Sequence, residues 1–92
     1  MNESQLVIND CTEALKLDPT YVKALNRRAA ANEQLGGTDA LFDALCDYTA
    51  AAILDGFKTE ATTKSVDRVM KTLAHEKAAI EFKVGLTASL WG

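Results

Sequence analysis

Lys23 and Arg27 stand four positions apart. On a helix that spacing puts an ammonium and a guanidinium on one face. Two cations held on a rigid scaffold make charge-assisted hydrogen bonds to a carboxylate, the guanidinium as a planar fork and the ammonium as a point charge. Each such bond contributes about 1.5–3 kcal/mol before desolvation is subtracted. Spacing alone favours a solvated basic face over a ligand-facing pair. Asn26 lies beside the pair and either adds a backbone contact or stands exposed. Arg28 turns toward the side of Tyr21 and Asn32, where structural support is expected ahead of pairing with an acidic residue.

Other reactive residue types lack the company that chemistry needs. His75-Glu76 begins like a zinc-protease motif, but position 79 is alanine, so the second metal ligand is missing. One histidine and two distant cysteines do not build a zinc site. Cys11 and Cys46 are 35 positions apart, neither a metal spacing nor a redox pair, and both are expected to be reduced and buried. Asp39, Asp43 and Asp47 follow one another at steps of four and read as a solvated acidic face. Asn2-Glu3-Ser4 fits a glycosylation sequon without a secretory signal to give it meaning. No glycine-rich phosphate loop and no nucleophile–base pair can be named. The residues point to binding rather than catalysis, and no cofactor is implied.

The elements that position the basic pair must be helices. The 92 residues are 48% hydrophobic with one proline and abundant alanine, a composition suited to closely packed helices in a single small domain. At a net charge of −3 there is no general basic field for nucleic acid or anionic lipid. Charge is uneven, since residues 37–57 hold four acidic side chains and no basic one. Four helical segments follow from the apolar spacing: about Glu3 to Leu17, Thr20 or Tyr21 to Leu35, Thr38 or Asp39 to Leu54, and Thr59–Thr62 to about Lys83. Asp18-Pro19, Gly36-Gly37 and Asp55-Gly56 separate them, with Pro19 suited to open the second helix and Thr38 or Asp39 to cap the third. Leu41, Leu45, Tyr48 and Ala52 form the inner line of the third helix. Val66, Val69, Met70, Leu73, Ile80 and Val84 form the stripe of the fourth. Asp39-Ala40-Leu41-Phe42 is echoed by Asp43-Ala44-Leu45-Cys46, a four-residue step that keeps helical phase. Residues 84–92 read as a frayed or loosely docked end. The expected fold is all-α: about four helices in antiparallel pairs.

Ala14 and Pro19, then Gly36, then Ala44, Tyr48 and Ala51 resemble the small and aromatic positions of tetratricopeptide repeats. The runs 10–19 and 23–29 are similar to a clamp-type repeat of the import receptors of the mitochondrial outer-membrane TOM complex. Residues 47–50, 53–57 and 60–74 resemble the fungal form of those receptors. The resemblance implies a TPR-type α-solenoid. In it, residues 1–18 are the second helix of one repeat, 19–56 a complete repeat, 57–84 a following helix and 85–92 a non-matching tail. Two other departures are a first helix without its partner and a missing aromatic after the Leu-Gly turn.

The same resemblance implies the function. Clamp-type repeats use the positions of Lys23 and Arg27, with Asn26 beside them, to hold carboxylates of the acidic C-terminal peptide of heat-shock chaperones. The parent receptor would also meet mitochondrial preproteins at the cytosolic face of the outer membrane. This segment makes no direct membrane contact, would be soluble and cytosolic alone, and can self-associate through its first helix. A co-chaperone fragment or a purely structural helical repeat are the alternatives.

Overall fold

The computed structural model describes residues 3–91, and their side chains over residues 3–77. Four helices occupy them: α1 Glu3–Leu17, α2 Val22–Leu35, α3 Thr38–Leu54 and α4 Glu60–Trp91. Among the described residues there is no strand. Each helix packs on the next in sequence, so the chain is a row of antiparallel neighbours rather than a closed bundle.

The connections explain the boundaries. Asp18 turns the chain after α1: its carbonyl accepts the Tyr21 N–H at 3.1 Å, and its carboxylate accepts the Thr20 N–H at 3.1 Å. Pro19 sits inside this turn instead of opening α2, because its fixed φ suits the second position of a β-turn. Gly36 and Gly37 both have positive φ, 72° and 87°, which glycine adopts without strain. Helix α3 then starts on Gly37 as N-cap, with no side-chain cap, so neither Thr38 nor Asp39 caps it; Asp39 lies in its first turn. At its far end the Gly56 N–H bonds Ile53 O and the Phe57 N–H bonds Ala52 O, a paired closure of the last turn. Helix α4 runs unbroken to Trp91, so the backbone of residues 84–91 is helical rather than frayed.

The core lies in two clusters along the row. Cys11 and Leu15 of α1 meet Ala24 and Leu25 of α2 and Ala51 of α3. Ala29 of α2 meets Leu41, Ala44 and Tyr48 of α3 and Val69 of α4. Ala29, Ala44 and Ala51 are fully buried, so small residues set the distance between helices. The inner line of α3 is as the spacing implies, with Leu45 half-buried. The four-residue echo keeps its faces: Phe42 and Cys46 are both exposed, while Leu41 is buried and Leu45 half-buried. Burial of Cys46 was therefore not realised, since its position in the echo points outward. Met70 also leaves the expected stripe and is half-exposed, because Val69 takes the inward position. Ile80 and Val84 lie outside the residues whose side chains are described.

Candidate functional site

Helix α2 is held from both sides through Ala24, Leu25, Ala29 and Ala31. Its remaining surface carries Lys23, Asn26 and Arg27. Lys23 and Arg27 are exposed, and neither forms an ion pair with a described residue. Asn26 is half-buried, and its Oδ1 atom is buried without a hydrogen-bond partner. A buried acceptor left without a donor costs about 1–3 kcal/mol. The helix thus brings together two unpaired cations and one unsatisfied amide oxygen within a single turn.

Arg27 also lines a groove of about 500 Å³ between α1 and α2, together with Val7, Asp10, Cys11 and Ala30. Its floor is apolar and its rim carries both signs of charge. Burial pushes the Cys11 thiol up, with the Arg27 and Arg28 guanidiniums pulling the other way. That thiol is therefore a poor nucleophile. The groove offers a cation beside an apolar wall, which suits a short chain with a carboxylate next to an apolar side chain.

Two further cations are engaged. Arg28 forms a two-point ion pair with Asp47, which is buried. Asp47 therefore leaves the solvated acidic face expected of Asp39, Asp43 and Asp47, while Asp39 and Asp43 remain exposed. The signal was present in the spacing: Asp47 lies three after Ala44 and four before Ala51, both fully buried. Arg68 of α4 pairs with Glu33 of α2 through Nε–Oε2 at 2.7 Å and Nη2–Oε1 at 2.8 Å. Tyr48 donates to the same carboxylate at 3.2 Å. Nothing in the sequence alone linked Glu33 to Arg68, because they are distant along the chain. His75 is exposed, as its place on a helix implied. Among the described residues no group of three His, Cys, Asp or Glu side chains could hold a metal ion. Nor is any described helix long and apolar enough to cross a membrane.

Stacked antiparallel helices with alanine contacts define an all-α fold compatible with a helical-pair repeat, with Lys23 and Arg27 on its outer surface. No family model matches the chain. Its sequence is 46% identical over 77 residues to the mitochondrial import receptor subunit TOM70 of Homo sapiens, covering 84% of this chain and 12% of that protein. The TOM70 proteins of Rattus norvegicus and Mus musculus match with the same identity and extent. By sequence the chain is a relative of the TOM70 import receptors over that segment, and it spans about 12% of their length.

Proposed function

We propose that this chain is part of a chaperone-docking, tetratricopeptide-type domain of a mitochondrial import receptor. It works by binding, without catalysis. Residues 19–56 form the complete repeat, flanked by helices from its neighbours. Lys23 and Arg27 receive carboxylates of an acidic chaperone C-terminus, and Asn26 supports the peptide backbone. The observation that carries this reading is that Lys23 and Arg27 of α2 are exposed and form no ion pair with a described residue, whereas Arg28 of the same helix and Arg68 of α4 are tied down. Through the parent receptor the partners extend to preproteins, at the cytosolic face of the outer membrane.

Two contacts at about 1.5–3 kcal/mol gross sum to about 3–6 kcal/mol, which before desolvation supports an affinity no tighter than tens of micromolar. Titrating the chain with a Glu-Glu-Val-Asp peptide should give weak binding that disappears in Lys23→Ala plus Arg27→Ala. Tight binding that survives the double substitution would sink the clamp assignment.

A second reading has its own observation. Leu6 is 50% exposed, Leu17 90% and Val7 38%, so α1 presents apolar surface that another helix could cover. This favours self-association, and sedimentation tests it: a clean monomer at high concentration argues against it.

A further inference from the structure

A second concavity lies about a quarter-turn round from the Lys23–Arg27 face, a furrow of about 370 Å³ shared by α1, α2 and α3. Arg28 on its wall is engaged through all three of its nitrogens. Its Nε and Nη2 donate to Asp47, and its Nη1 donates to Thr12 Oγ1 at 3.2 Å. That pair is electrically neutral. Asp43 on the rim is exposed and forms no ion pair with a described residue. The furrow therefore carries one net negative charge.

Asn32 supplies an independent observation. The residue is only 7% exposed, and it lines the furrow, into which its side-chain amide opens. That amide offers an acceptor and two donors to whatever enters. Half-buried Ile8 provides an apolar strip on the α1 side.

We propose that this furrow binds the side chain of an arginine from a partner protein. A guanidinium is planar and presents five N–H donors. It can donate to Asn32 Oδ1 and to the Asp43 carboxylate together, while its methylene stem lies along Ile8. An anion is repelled by Asp43. A metal lacks ligands, since no described trio of His, Cys, Asp or Glu could hold one. The site is separate from the Lys23–Arg27 pair and stands if that assignment fails.

Cys46 lines the furrow and is exposed, while Cys11 is buried, so the chain contains its own reporter. Alkylation of Cys46 by N-ethylmaleimide is followed by mass spectrometry with N-acetylarginine amide present. Saturating probe should slow Cys46 at least about threefold and shift the Asn32 side-chain amide resonances. Acetylglycinamide at equal ionic strength should do neither. Asp43→Asn, an isosteric change at an exposed position, should weaken apparent binding about twofold to fivefold, the range of one half-exposed ion pair. Asn32→Ala should weaken it further. No protection, or protection unchanged in Asp43→Asn, overturns the proposal. Equal protection by N-acetyllysine amide overturns the guanidinium assignment.

Discussion

Arg28 and Asp47 join α2 to α3 through two parallel hydrogen bonds, Nε to Oδ2 at 2.7 Å and Nη2 to Oδ1 at 2.9 Å. The fork geometry leaves Nη1 to reach Thr12 Oγ1 on α1. That hydroxyl donates in turn to Ile8 O at 2.7 Å, so it is free to accept. One side chain thus fixes three successive helices. The hydrogen bonds that Arg28 donates to Asp47 lead the causes that hold its guanidinium even more firmly charged.

Breaking this pair from one side should be costly. Asp47→Ala leaves a guanidinium whose side chain is only 25% exposed without its partner. Urea unfolding should show a loss of about 2–4 kcal/mol. The apolar double variant, Arg28→Met with Asp47→Leu, should recover most of that loss, because both charges then vanish together. Equal losses in the single and double variants would show that the pair is not coupled.

Acid should loosen the α2–α4 contact first. The Arg68 hydrogen bonds hold the Glu33 carboxyl below its ordinary value of 4.5. A carboxyl with a lowered folded pKa contributes stability above its unfolded pKa and loses it as pH falls through the folded one. Melting temperature should therefore drop below about pH 4.5 in the wild-type chain. Glu33→Gln should flatten that limb and lower stability at pH 7. Arg68 is half-exposed, so added salt should shrink the effect.

The helices were legible in the sequence because their limits rest on local chemistry. Gly36-Gly37 and Asp55-Gly56 stop helices wherever they occur, and Ala44, Tyr48 and Ala51 repeat with the period of a buried face. Non-local pairing was not legible. Asp47 shares its four-residue step with Asp39 and Asp43; its spacing to Ala44 and Ala51 marks the inward face, but only the position of α2 supplies Arg28 as its partner. The exposure of Cys46 and Met70 has the same origin: each sits beside a residue with a stronger claim on the core, Asp47 or Val69. The Lys23–Arg27 face was legible as geometry, since i and i+4 must coincide. That both cations lack partners depends on where every other carboxylate lies.

The α3–α4 turn carries strain that can be relieved. Phe57 has φ 60°, in the left-handed region, directly after Gly56. A non-glycine residue there costs about 1–2 kcal/mol. The ring is 64% exposed and has little packing to lose. Phe57→Gly removes the strain but adds about 0.5–1 kcal/mol of chain entropy to the unfolded state. Stability should rise by up to about 1.5 kcal/mol, the difference of those terms, read as a higher urea midpoint. A fall in the midpoint would show that the ring contributes packing.

Attachment of α4 depends on Val69, which is fully buried among Ala29, Leu41, Ala44 and Tyr48. Val69→Ala removes two methyl groups and leaves a gap that alanine-rich neighbours cannot fill. The cost should be about 1.5–3 kcal/mol. Limited proteolysis distinguishes local from global effects: α4 should become susceptible while the α1–α3 fragment persists, because the cluster of Cys11, Leu15, Ala24, Leu25 and Ala51 that joins α1, α2 and α3 contains no residue of α4.

Adjacent arginines on α2 should respond in opposite directions. Arg27 has no partner among the described residues and lies four positions from Lys23, so the two repel by about 0.2–0.5 kcal/mol. Alanine is also the better helix former. Arg27→Ala should therefore leave the melting temperature unchanged or slightly raised, while weakening acidic-peptide binding. Arg28→Ala should lower the melting temperature by several degrees, since Asp47 is left buried and unpaired. A residue whose removal stabilises the fold but weakens binding is retained for the ligand. If Arg27→Ala destabilises the chain as much as Arg28→Ala, Arg27 is structural and the clamp reading of α2 fails.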